Sequence, residues 1–104
     1  MGQNRTRVEL HHKLVEMLGS NNVYFDPPEN FKLKYPCIVY YLEGLADIPA
    51  DNQTYRRLHR YNLTYITTKA EDPFAEELAD FRYCTLNRPF TVSDLHHWSY
   101  TLFY

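Results

Sequence analysis

Residues 35–68, YPCIVYYLEGLADIPADNQTYRRLHRYNLTYITT, constrain the possible folds more than any other segment, because they hold two strand-forming runs separated by turn chemistry. The first run, Cys37-Ile38-Val39-Tyr40-Tyr41-Leu42, is short, apolar and rich in β-branched and aromatic residues, the composition of a strand buried on both faces. It is the expected central strand. The second, Tyr55 to Thr68, is longer and more polar. Its tail alternates, with Tyr61, Leu63 and Tyr65 on one side and Asn62 and Thr64 on the other, the pattern of a half-buried strand. Between them lie Gly44, Pro49 and Asp51-Asn52. Gly and Asn tolerate positive φ, and Pro fixes φ while removing a donor. The simplest outcome is an antiparallel pair joined by an extended loop.

The flanking sequence supplies helices and further strands. Residues 5–18 read as a helix: Thr6 with Glu9 forms a capping-box pattern and Gly19 falls at the C′ position. Leu10, Leu14, Met17 and Leu18 make its apolar stripe, leaving His11 and His12 on a wetted face. Val23-Tyr24-Phe25 suits a short edge strand, ended by Asp26-Pro27-Pro28-Glu29, and Phe31 to Lys34 skirts the sheet. Asp72-Pro73 pairs an N-cap with proline at N1 and starts a second helix, whose stripe is Phe74, Leu78 and Phe81. Tyr83-Cys84-Thr85-Leu86 resumes extended structure, Asn87-Arg88-Pro89 interrupts it, and Thr91 to Asp94 forms a polar loop. In the last strand Trp98, Tyr100, Leu102 and Tyr104 alternate with Ser99, Thr101 and Phe103, and the strand can reach back through Leu95 and His96. Its neighbours are expected in part from another copy, since loose termini fray. The whole predicts a single α+β domain over 1–104: a mainly antiparallel sheet of about four to five strands flanked by two helices.

Composition narrows the function. With a formal net charge of −2 there is no basic field to recruit DNA or an anionic membrane. No apolar run approaches the roughly 20 residues that cross a bilayer, and the N-terminal sequence lacks the apolar core of a signal peptide, so a cytoplasmic site of assembly is expected. Ten tyrosines against one tryptophan suit surfaces buried in one assembly state and wet in another. Cys37 and Cys84 sit in apolar strand-like settings, where free cysteine behaves as a small hydrophobe; a disulfide or a metal is the alternative.

The side chains that could carry chemistry are poorly spaced for it. His96 and His97, with His59, Cys84 and Asp94, contain zinc-ligand types, but adjacent strand residues face opposite ways and cannot share an ion without a bulge. Ser93, Asp94 and His96 hold hydrolase residue types without nucleophile-elbow glycines. Gly2, Gly19 and Gly44 are too few and too scattered for a phosphate cradle. No catalytic residue, cofactor or metal is therefore expected. The most basic patch is Arg56-Arg57-Leu58-His59-Arg60. Its bland reading is a solvated face; its sharper one is an inter-subunit ion-pair belt with Glu43, Asp47 and Asp51, because guanidinium forks match carboxylates.

The ordered motifs Tyr35-Pro36-Cys37-Ile38-Val39-Tyr40, Ala50-Asp51-Asn52 with Tyr55, Arg60-Tyr61, Asp72-Pro73, Asn87-Arg88 and Asp94-Leu95-His96-His97 resemble a family of small tailed-bacteriophage virion proteins, the tail-terminator or tail-completion (head-tail joining) proteins. The resemblance covers residues 23–104 and departs at Pro89-Phe90 and Trp98. It implies a structural role: a ring of about six copies in the neck of the virion, capping the head-proximal end of the tail tube and presenting a surface to the connector. The implied partners are other copies, the tail-tube protein and the head-tail connector or stopper ring, with DNA passing through the lumen without specific binding. Arg56, Arg57, Arg60, Asp51, His96, His97 and Tyr104 are the expected interface residues. The alternatives are a portal-side connector or stopper protein and, from a different class, a small phage-encoded enzyme or binding module.

Overall fold

The structure, a computed structural model, describes residues 2–49, 55–81 and 84–104, with the side chains at 2–6, 46–49 and 55–57 outside that description. Its elements in order are α1 (Gly2–Leu18), β1 (Val23–Phe25), β2 (Cys37–Pro49), β3 (Tyr55–Thr67), α2 (Pro73–Ala79), β4 (Cys84–Val92) and β5 (Leu95–Phe103). The strands form one open sheet in the order β1-β2-β3-β5-β4. Only β1 and β2 run parallel; the other pairings are antiparallel. This is the α+β architecture that the sequence predicts.

The centre of the sheet is β3 rather than β2. Cys37, Ile38 and Tyr40 are fully buried, but Tyr41 and Leu42 are 43% and 47% exposed. The reason is topological: β1 covers β2 only from Ile38 to Tyr40, and beyond that β2 has no outer partner among the described residues. Gly44 does not end the strand either. β2 continues to Pro49 with a register shift between Leu42 and Gly44, and a bulge is where a strand glycine is tolerated.

Register sorts the side chains onto two faces. Ile38, Tyr40 and Leu42 of β2 oppose Tyr65, Leu63 and Tyr61 of β3, which in turn oppose Trp98, Tyr100 and Leu102 of β5. Both helices pack on this face. Leu10 and Leu14 of α1, and Ala75 and Leu78 of α2, are fully buried against it, with Met17, Leu18, Phe74 and Phe81 packed at the margin. Tyr40, Tyr61, Tyr65 and Tyr100 are all buried here, so much of the tyrosine surplus serves the core rather than an interface. Burial pushes the pKa of each of these four hydroxyls up.

The hydroxyls of three of these tyrosines fasten the helices. Tyr65 donates to Asp72 Oδ2 at 2.6 Å, and Asp72 Oδ1 accepts from the Phe74 amide at 3.0 Å, the cap that opens α2 at Pro73. Tyr100 donates to the Ala75 carbonyl at 2.6 Å. On α1, His11 Nδ1 lies 2.7 Å from the Tyr40 hydroxyl, Arg7 Nη1 donates to the same oxygen at 3.4 Å, and the Arg7 guanidinium sits 4.5 Å over the Phe25 ring. His11 is thus an anchor, not a residue of a wetted face. The helix begins at Gly2, placing Thr6-Glu9 inside it rather than at a capping box; Gln3 and Arg5 are ordinary helix formers, so nothing forces a later start. It ends as expected, with Gly19 at φ 79° and its amide on the Val15 carbonyl at 2.8 Å.

The last two strands form a hairpin. Asn87-Arg88-Pro89 does not interrupt β4 but falls at a register shift between Leu86 and Arg88, and the strand tolerates Pro89 because it lies at the sheet edge. Ser93 and Asp94, at φ 52° and 64°, make the two-residue turn. β5 lies between β3 and β4 of its own chain, so no second copy is needed to hold it.

Tyr100→Phe removes the hydroxyl bond to the Ala75 carbonyl and should cost about 1 kcal/mol; Leu78→Ala should cost about 2–5 kcal/mol, both read by urea unfolding. A pH effect follows from α1. Burial, with Arg7 and His12 nearby, holds the His11 pKa below its usual 6.5. The unfolded chain therefore takes the proton first, and the stability due to neutral His11 is complete above pH 6.5 and lost as pH falls through the lower folded value. Melting temperatures should decline below that pH, and His11→Gln should flatten the decline.

Candidate assembly surface

The feature that stands apart from the packed core is a two-stranded ribbon. β3 pairs with β5 from Thr67 to Arg60, and the Tyr104 amide adds a bond to the His59 carbonyl at 2.9 Å. β2 and β3 nevertheless continue together through Leu45↔His59 to Pro49↔Tyr55. From Leu45 onward, therefore, β2 and β3 form a pair without an outer strand on either side among the described residues, and the molecule is elongated, 49 × 24 × 23 Å. Isolated two-stranded ribbons are marginal in water.

At the root of the ribbon, Glu43 Oε1 lies 3.5 Å from Arg60 Nε. Gly44 pairs with Arg60 across the strands, and a Cβ there would stand 2.9 Å from Arg60 Nη2. The glycine thus leaves room for the guanidinium to lie across the bulge towards the carboxylate. This ion pair is within one chain. Arg56 and Arg57 oppose Ile48 and Asp47 in backbone register, with their side chains outside the described residues, as is Asp51 altogether.

The remaining expected interface residues lie elsewhere. His96 and His97 pair with Thr67 and Ile66, seven and six positions along β3 from Arg60, or about 20–23 Å at about 3.3 Å per residue. They face opposite ways: His96 Nδ1 is 3.2 Å from Thr91 Oγ1, while His97 Nδ1 donates to the Leu95 carbonyl at 3.1 Å and its ring stacks on Phe90 at 4.8 Å. Tyr104 packs against the helix-side core with Lys13 Nζ 5.1 Å from its ring centre. Arg60, His96 and His97, the expected residues described on β3 and β5, do not form one patch.

The chemistry-bearing clusters read likewise. Among the described residues no group of three or more His, Cys, Asp or Glu is placed to hold a metal. His96 engages Thr91, and Ser93 and Asp94 serve as turn residues. Both cysteines are free; burial pushes the Cys37 thiol up to about 12 and the Cys84 thiol up to about 11, so both stay protonated near neutral pH. A hollow of about 270 Å³ is lined by Arg7, Val8, His11 and His12.

Sequence reasoning missed the exposed apolar side chains on the two free edges: Tyr41, Leu42 and Leu45 on β2, and Leu86, Phe90 and Val92 on β4. The signal was the alternation on both sides of Gly44 and of Pro89, hidden by reading those residues as breaks. Comparison with known protein families, curated proteins and solved structures gave no match.

Gly44→Ala should displace the guanidinium rather than the backbone, because its nearest neighbour is the movable end of Arg60. Gly44→Ala and Glu43→Gln should each change stability by less than about 1 kcal/mol, as for other exposed ion pairs. A double-mutant cycle in urea should find them non-additive, since both act on one contact.

Proposed function

We propose that this chain is a structural subunit of a tailed-phage virion, a tail terminator that closes into a ring at the head-proximal end of the tail, ends growth of the tube and joins it to the head connector. The observation that carries the reading is the ribbon from Leu45 to Pro49 and Tyr55 to His59, which extends past the rest of the sheet. A subunit of a cyclic assembly needs two different surfaces for its neighbours, and a ribbon on one side of an open sheet with a bare strand on the other meets that need. The motif order read from the sequence supplies the phage context. A net charge of −2 suits a lumen that lets DNA slide, since a basic one would grip phosphates.

The test is electron microscopy of tail-tube protein polymerised with and without this chain. Length-limited tubes with a ring at one end are the expected result. Unaffected tubes together with binding to portal-adaptor complexes would make it a stopper on the portal side; binding to neither would return the chain to the enzyme or binding-module class.

A further inference from the structure

We infer that the hollow lined by Arg7, Val8, His11 and His12 of α1 is a binding site for a small oxyanion, the phosphate or carboxylate group of a ligand. The site lies within one chain and does not depend on ring assembly.

Helical spacing brings the donors together. Arg7 and His11 are four positions apart on α1, as are Val8 and His12, so the two pairs stand side by side on one helix surface. They line a single hollow of about 270 Å³, just short of the roughly 300–1,000 Å³ of sites for drug-sized ligands. The space suits a small group.

Two of the three donors are held in place from the sheet. Tyr40 is fully buried, and its hydroxyl oxygen lies 2.7 Å from His11 Nδ1 and 3.4 Å from Arg7 Nη1. That oxygen carries one proton, and Arg7 can only donate to it. The hydroxyl therefore gives its proton to His11 Nδ1, which leaves the ring hydrogen of neutral His11 on Nε2. The Phe25 ring, 4.5 Å from the guanidinium carbon, holds Arg7 from a second side. Donors fixed in this way lose little freedom when a ligand arrives.

The charge on this surface is uncompensated. Among the described residues no carboxylate lines the hollow, and Arg7 has a phenol and a ring as its partners rather than an acid. A guanidinium offers five N–H donors and can grip an oxyanion with two of them at once; the phenol takes one. Burial first, and then the positive charges of Arg7 and His12, hold the His11 pKa below its usual 6.5, the direction that a cationic surrounding sets. Arg7 thus supplies the charge for an anion, while neutral His11 supplies a further N–H.

Titration of the full chain near neutral pH with inorganic phosphate, and separately with acetate, tests this when ionic strength is held constant with sodium chloride and the histidine ring signals are followed by proton NMR. A saturable shift of the His11 and His12 signals is expected. Saturation by phosphate assigns a phosphate group and saturation by acetate a carboxylate, the tighter of the two naming the ligand if both saturate. Arg7→Gln should weaken binding by about tenfold or more, since a charged donor is lost, and His12→Gln by a smaller factor. Arg88→Gln removes an exposed cation from β4, at the far edge of the sheet, and should leave binding unchanged. Thermal melts check that the variants are folded, and the exposed position of His12 keeps that variant informative if Arg7→Gln fails to fold. The site is overturned if neither anion saturates, if folded Arg7→Gln binds like the wild type, or if Arg88→Gln weakens binding as much as the α1 variants do. None of these results bears on the ring reading.

Discussion

Pairing of β2 with β3 is the constraint on which the rest of the molecule depends. It runs from Cys37↔Ile66 to Pro49↔Tyr55, and it fixes which side chains share a face. A one-residue slip would bring Asn62 and Thr64 to the helix side and turn Tyr61, Leu63 and Tyr65 away from it. Both helices rest on the residues this register presents: α1 through the Tyr40 hydroxyl, α2 through Tyr65 and Asp72. β5 then reads the same face of β3 and adds Tyr100, whose hydroxyl reaches the Ala75 carbonyl. Tyrosine performs two tasks at once here, filling volume with its ring and setting position with its oxygen. That combination accounts for the abundance of tyrosine in a core where leucine would pack but not orient.

What the sequence conveyed depended on whether a signal was local. The Asp72-Pro73 start of α2 and the Gly19 end of α1 were legible because caps are made by the residues themselves. The alternation of Tyr61, Leu63 and Tyr65 revealed the buried face of β3 for the same reason. The misreadings came from residues whose meaning depends on a neighbour. Gly44 and Pro89 read as breaks, yet each lies in or beside a bulge, which exists only relative to a partner strand. His11 looked solvated because nothing in its own helix foretells Tyr40, 29 positions away. Sequence order also placed Arg60 and His96 on successive strands without giving the distance along them.

The irregular shape of β4 also bears on how the chain behaves when crowded. Stacking of identical strands into a fibril requires an unbroken row of donors and acceptors and a flat strand that repeats without offset. β4 meets neither condition, with a prolyl nitrogen at position 89 and an extra residue beside it. β2 carries its own irregularity at Leu42/Gly44. Each of these two exposed edges therefore carries an irregularity that opposes in-register stacking of the strand upon identical copies of itself.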